Sequence, residues 1–279
     1  MNFLSLLKRN LIFKFKKKIS IDNDNITSKS LDYLFHEYGS DKANVFKLNQ
    51  QLGHGYSIYY EKKLETYKNK NLNILEIGSY AGASAAAFTK YLPKSKVYCF
   101  DVNISKFKYE SENINVFGLD INNQKKVVKT LNKIFSKQNF TQFDLIIDDG
   151  SHNLSDILIS LKFFFKYVKN NGLYIIEDYK HPNYYKYNRN INHLLVDQIF
   201  LNLNNKKFFN SNIFSDDDQK ELISSIKMIE TFKGNLKDSD ISFITKSSII
   251  FFSSRSFFNS PFSNISLTIS QPPINSCLM

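Results

Sequence analysis

The sequence predicts an α/β fold: a doubly wound, mostly parallel sheet with an antiparallel edge hairpin and an N-terminal helical extension. Three observations predict it. Five short, nearly continuous apolar runs recur between residues 73 and 178, helical patterns separate most of them, and acids close several of them in succession. Runs of that kind suit strands buried on both faces, and right-handed helical crossovers join them into a parallel sheet. A chain of 279 residues with 26 Phe and 16 Tyr can bury a sizeable core, which excludes disorder as its main state. No repeat with a period between about 20 and 50 residues indicates a solenoid. No apolar run approaches the roughly 20 residues of a membrane span. Cys99 and Cys277 are too few for a disulfide scaffold or a Cys-rich zinc site, so a reducing, cytoplasmic setting is expected.

Residues 1–20 form a basic arm. The net charge is +11, and Lys8, Arg9, Lys14, Lys16, Lys17 and Lys18 supply six of those charges with no acid among them. The rest of the chain is ordinary in charge, so a nucleic-acid partner is not expected. On a helix, Phe3, Leu7, Leu11 and Phe15 share one face, which is compatible with contact at an anionic membrane. A frayed, solubilising extension is expected ahead of that. The charges follow the short apolar run, unlike those of a secretory signal.

Residues 21–70 read as a helical preface. Leu31, Leu34, Phe35 and Tyr38 fall on one helical face, with Ser30 able to cap the start and Gly39 the end. A second helix is expected over 57–68, after the loop Gly53-His54-Gly55. Strands are then expected at 73–78, 96–101, 114–120, 143–149 and 172–178, and helices at 83–92, 123–138 and 154–170. Segments 226–232 and 246–253 read as the edge hairpin. The main domain is thus expected over 71–254, and residues 255–279 carry no assignable pattern.

Ligands of open α/β sheets bind outside the carboxyl ends of the strands. Those ends here carry Gly78, Asp101, Asp120, Asp149 and the pair Glu177-Asp178. In Glu76-Ile77-Gly78-Ser79-Tyr80-Ala81-Gly82-Ala83-Ser84, glycines allow a tight turn and close approach of a ligand to a helix start. Neither a phosphate-loop nor a dinucleotide glycine motif is present, and a helix-packing turn explains the glycines equally well. Asp101 lies where a carboxylate can accept from both ribose hydroxyls. Asp120 is placed to reach an adenine amino group or to serve as a solvated turn acid. Asp149, Glu177 and Asp178 repel one another at close range, so they must protonate or hold a cation. An all-oxygen set favours Mg²⁺. His152, three residues after Asp149, would stand beside that ion as a general base. The alternative is that Asp148 caps the next helix and His152 is a loop residue.

Leu75-Glu76-Ile77-Gly78-Ser79-Tyr80-Ala81-Gly82-Ala83-Ser84 resembles the first motif of class I S-adenosylmethionine (SAM)-dependent methyltransferases, whose domain is Rossmann-like. Ile147-Asp148-Asp149-Gly150-Ser151-His152, with Gly172 to Asp178, resembles the mycinamicin-type macrolide sugar O-methyltransferases. So do Tyr38-Gly39-Ser40-Asp41-Lys42 and His54-Gly55-Tyr56. The resemblance covers about residues 31–253. It implies SAM held near Glu76, Gly78, Gly82, Asp101 and Asp120. It also implies Mg²⁺ on Asp149, Glu177 and Asp178, with His152 as the base. The expected acceptor is a small molecule or glycan bearing a hydroxyl, in a pocket shaped by residues 179–190. A homo-oligomer is compatible with this reading. Two rivals are a hydroxylase-like enzyme of similar architecture and a non-catalytic membrane or nucleic-acid binding module with a basic arm.

Overall fold

Seven strands set the geometry of the molecule, and their order follows from how the apolar runs alternate with helices. The computed structural model describes residues 3–24, 29–180 and 194–248. The chain divides into units 1–249 and 250–279, and every described residue belongs to the first. Among the described residues the strands of the central sheet are β1 Leu72–Ile77, β2 Ser95–Asp101, β3 Ile114–Gly118, β4 Phe143–Asp148, β5 Val168–Glu177, β6 Ile226–Lys233 and β7 Asp240–Lys246. Their spatial order is 3-2-1-4-5-7-6. β1 to β5 are parallel, and β7 runs antiparallel to both β5 and β6. The order reverses between β1 and β4, which is where an open α/β sheet leaves a crevice.

Among the described residues, eight α-helices flank the sheet or pack beside it: α1 Phe3–Phe15, α2 Leu31–Tyr38, α3 Ser57–Leu64, α4 Ala83–Tyr91, α5 Gln124–Gln138, α6 Leu154–Phe164, α7 Val196–Asn204 and α8 Asp216–Ser225. Ser30 caps α2 through the Tyr33 amide, and Gly39 closes it in the left-handed region at φ 77°. The preface is not a separate cap. Leu34, Phe35, Tyr56 and Tyr60 share one core with Ile74, Phe88, Ile147, Ile175 and Phe243, so α2, α3 and α4 cover one face of the sheet. The other face packs against α5 to α8 through residues such as Leu131, Leu158, Phe200 and Leu222. The result is a three-layer sandwich.

Several expectations need correction. The second helix of the preface ends at Leu64 and tightens into a 3₁₀ turn over Glu65–Tyr67. Similarly, α6 ends at Phe164, and β5 already starts at Val168. The last strand is Asp240–Lys246, not 246–253. It lies inside the sheet between β5 and β6, so its polar residues are buried as well as its apolar ones. Lys246 meets this by donating to the Phe165, Lys166 and Val168 carbonyls. The part of the expected strand from 249 onward, and most of the expected acceptor segment 179–190, lie outside the described residues.

The basic arm is not frayed. Residues 3–15 form α1, which buries Leu6 and sets Phe13 edge-on to Phe107, with ring centroids 6.1 Å apart. Asn10 Nδ2 donates to the Gly118 carbonyl at 3.2 Å, and Lys16 Nζ donates to the Ser105 and Lys106 carbonyls at 3.1 Å. Gly118 makes this docking possible, because a Cβ there would run into the Asn10 side chain. Gly118→Ala should therefore loosen α1 at a cost of about 1 kcal/mol, the worth of one hydrogen bond. Limited trypsin digestion is the measurement: cleavage after Lys8 and Arg9 should accelerate severalfold in the variant, and equal rates would contradict this docking.

Candidate active site

The strand ends come level at the crevice. Ile77 pairs in register with Phe100 on one side and with Asp148 on the other, and Asp148 pairs with Ile176. The ladder continues one residue beyond the strands, with Gly78 N–H donating to the Phe100 carbonyl and Asp149 N–H to the Ile77 carbonyl. Gly78 and Asp149 thereby approach so closely that a Cβ on Gly78, at φ 87°, would collide with the Asp149 carbonyl. Only glycine suits that position.

A cavity of about 600 Å³ opens above these ends. Gly78, Ser79, Tyr80 and Asp101 line one side, Asp149 and His152 another, and the preface supplies Tyr38 and Lys42. Asp101 Oδ2 accepts from the Tyr80 amide at 2.7 Å, which fixes the glycine turn against β2. Glu76 lies beneath the turn, fully buried. Its carboxylate accepts from Ser84, and burial raises its pKa against the pull of Lys42. Gly82 starts α4 at φ 78°, where a Cβ would strike the Phe107 ring; it shapes the turn from outside the cavity lining. Asp120 is not brought to this cavity. Its carboxylate accepts from the Asn122 amide in the turn before α5.

Three ligand atoms of Asp149, His152 and Asp178 lie within 4.8 Å of one another. His152 Nε2 is 3.7 Å from Asp149 Oδ1. Tyr56 donates to Asp178 at 2.5 Å, and His54 Nδ1 lies 3.0 Å from the same oxygen. Burial alone would raise the Asp178 carboxyl, but these two partners hold it below the usual range. Tyr80, His152 and Asp178 all have positive φ, at 41°, 53° and 51°. Such strain in non-glycine residues persists where the surroundings over-determine it, and it gathers at functional sites. Asp148 does not cap the next helix, since Asn153 does so through the Ser155 amide. Asp148 instead lies buried under the site, accepting from Tyr174, and burial pushes its carboxyl up to about 6.

Glu177 is drawn away from Asp178. Lys42 Nζ stands 2.5 Å from Glu177 Oε2 and 2.5 Å from Asp149 Oδ2, and Tyr60 donates to the other Glu177 oxygen. Lys42 and Glu177 are almost fully buried. Burial opposes the ammonium, yet Asp149 and Glu177 hold its pKa well above the usual lysine range. Burial pushes the Glu177 carboxyl up to about 8 and raises Asp149 as well, despite Lys42 beside them. No pattern at the strand ends points to Lys42, Tyr56 or Tyr60, because all three reach the acids from the preface.

Comparison with known proteins agrees with this architecture. No protein-family model matches the chain. Over 132 residues the chain is 27% identical to the mycinamicin VI 2''-O-methyltransferase of Micromonospora griseorubida, covering 45% of this chain and 31% of that protein. It is 26% identical over 132 residues to the demethylmacrocin O-methyltransferase of Streptomyces fradiae, covering 45% and 32%. The matches thus span about a third of these curated relatives. A solved structure of the MycE methyltransferase with Mg and SAH superposes with a TM-score of 0.58 and 20% identity, covering 78% of this chain and 55% of that one. The chain has the fold of the class I SAM-dependent methyltransferases. The resemblance read from residues 75–84 and 147–178 is borne out by these matches to O-methyltransferases. Within the methyltransferase fold, Gly78 and Asp149 sit at the switch point of the sheet.

The ion pairs of Lys42 give the site a stability signature. Lys42→Met would leave the buried Glu177 and the half-buried Asp149 without their ammonium, and breaking such a group costs up to about 3–5 kcal/mol. Urea denaturation in metal-free buffer should show a loss of that order. An unchanged midpoint would mean that Lys42 does not hold Asp149 and Glu177 together.

Proposed function

We propose that the chain is a SAM-dependent, Mg²⁺-assisted O-methyltransferase acting on a hydroxyl of a sugar-containing or polyhydroxylated acceptor. One observation carries the reading. The glycine turn with Asp101 opens into the same cavity as Asp149 and His152, at the switch point of a methyltransferase fold, and Asp178 lies buried beside that pair within ligand distance. The size of the cavity, about 600 Å³, is in the range of small-molecule sites. The relatives named as sugar-antibiotic O-methyltransferases support the reaction class, and the MycE complexes described with Mg and SAH support the two cofactors.

The residues fit both groups. Gly78 keeps the turn clear of side chain where a donor would lie close to the backbone. Asp101 uses its oxygens on the amides of Tyr80 and Asn103, and each carboxylate oxygen keeps a further lone pair for a ribose hydroxyl. On the metal side, Asp149 and Glu177 share one ammonium and Asp178 stands beside Asp149, and burial raises the first two toward protonation. Such a set gains from a hard divalent cation. Asp149 and Asp178 are the proposed ligands, and Glu177 would join them only as Lys42 withdraws. When bound, SAM supplies an electrophilic methyl and Mg²⁺ lowers the pKa of a coordinated hydroxyl. The chain's own part is orientation and proton handling. His54 and Tyr56 fix Asp178, Lys42 fixes Asp149, and His152, a fifth exposed at the cavity wall, accepts the hydroxyl proton. Holding two reactants in line accounts for much of the acceleration in such a reaction.

Isothermal calorimetry with SAM tests the donor site. Binding should be measurable, and its absence from a folded sample would remove the central claim. A Mg²⁺ titration of the wild type, His152→Ala and Asp149→Asn tests the division of labour. His152→Ala should keep SAM and Mg²⁺ affinity while methyl transfer falls about 10²- to 10⁴-fold, the usual worth of a positioned base. Asp149→Asn should need more Mg²⁺ and recover part of its rate at high concentration. If His152→Ala weakens Mg²⁺ binding as much as Asp149→Asn does, His152 is a ligand and not the base.

A further inference from the structure

We propose that the outward face of α1 is a docking surface for an anionic lipid bilayer. The helix has two distinct sides. Leu6, Asn10 and Phe13 hold it to the fold through burial, the Gly118 carbonyl and the Phe107 ring. Opposite them stand Leu11 and Phe15, 49% and 79% exposed, flanked by Leu7 and Ile12, each 45% exposed. Lys8, Lys14 and Lys17 are exposed on or beside the same face. No acid occurs among residues 1–18.

Charge and shape select the occupant. An interfacial helix buries an apolar stripe among the lipid headgroups while lysines around it meet lipid phosphates. The helix spans 13 residues, too short to cross a bilayer, and no helix among the described residues is long and apolar enough to do so. It would therefore lie in the plane of the surface. A second copy of this chain would press like charges together. Lys16, Lys18, Lys106 and Lys108 already crowd the docked end, where burial first and then those neighbours lower the Lys16 pKa. Nucleic acid would satisfy the amines and leave Leu11 and Phe15 in water. Only an anionic bilayer suits both halves of the surface.

The position is also informative. α1 packs on the segment Ile104–Lys106, and Lys106 and Lys108 line the cavity of the candidate active site. Docking through α1 would thus bring one wall of that cavity toward the lipid. The surface argument itself does not depend on the proposed methyl transfer.

Cosedimentation of the full chain with vesicles provides the test. One set is phosphatidylcholine alone, and the other contains about a third phosphatidylglycerol, near the anionic character of a cytoplasmic leaflet. Binding should be at least about tenfold stronger to the anionic set and should fall steeply as salt is raised from about 0.1 to 0.5 M, where screening shortens. Leu11→Asn with Phe15→Ser should weaken binding by about tenfold or more, since each apolar side chain returns to water. Lys8→Gln with Lys14→Gln should abolish most of the anionic preference. All four positions are exposed, and matching circular-dichroism melts should verify that the variants fold. The proposal is overturned if the wild type ignores anionic vesicles or binds both sets equally. Binding that survives the α1 substitutions overturns it as well. So does a variant-sensitive dimer by light scattering, or a variant-sensitive shift on duplex DNA, without vesicle binding.

Discussion

A single buried ammonium organises the site. Lys42 reaches from the preface loop to Asp149 at the end of β4 and Glu177 at the end of β5, joining three distant parts of the chain. Without it, two carboxylates would face each other in a poorly solvated pocket, where an unpaired charge is costly. The loop that carries Lys42 is itself fixed by the chain around it. The Tyr56 amide donates to the Lys42 carbonyl, and the His54 amide donates to the Asp41 carbonyl. The same fold-back delivers the Tyr56 and Tyr60 hydroxyls to Asp178 and Glu177. The preface is thus part of the site, and its helices share one face of the sheet with α4.

That arrangement separates two acids that are adjacent in sequence. Glu177 ends β5 and points into the Lys42 and Tyr60 group, whereas Asp178 turns at positive φ toward Asp149 and His152. Neighbouring side chains alternate along a strand, so a divergent pair is the expected outcome of a strand end. The backbone turn at Asp178 then brings its carboxylate to Asp149 and His152. Tyr80 and His152 carry the same kind of strain around the same opening. Rigid strand ends supply the frame that holds these residues in place.

Fold class was legible because buried parallel strands leave a simple mark. The runs at 73–78, 96–101 and 143–149 each have an apolar centre, and the observed strands match them to within about a residue or two. The edge was harder to read. Asp240–Lys246 begins with alternating polar and apolar residues like a half-exposed strand, yet it is enclosed between two others, and its buried Lys246 is satisfied by three carbonyls. Helices α7 and α8 lie outside the predicted elements although their marks are present. Val196, Ile199, Phe200 and Leu203 recur at helical spacing, and Ser215 with Asp218 forms a capping box.

By itself the sequence determined the sheet, the glycine turn, and the acids Asp101, Asp149, Glu177 and Asp178 at the strand ends. Those features are local, written in periods of two and 3.6 residues and in the residue that ends each run. Tertiary structure decided which of those groups meet. Asp120 stays in its own turn, Glu177 belongs to Lys42, and Asp178 joins Asp149 and His152. It also decided that the basic arm is a docked helix, because Gly118 leaves room for Asn10 and Phe107 receives Phe13. Pairings of that kind span about 90 to 135 residues of chain. No local pattern encodes them, because the energy that selects them exists only once the layers have packed.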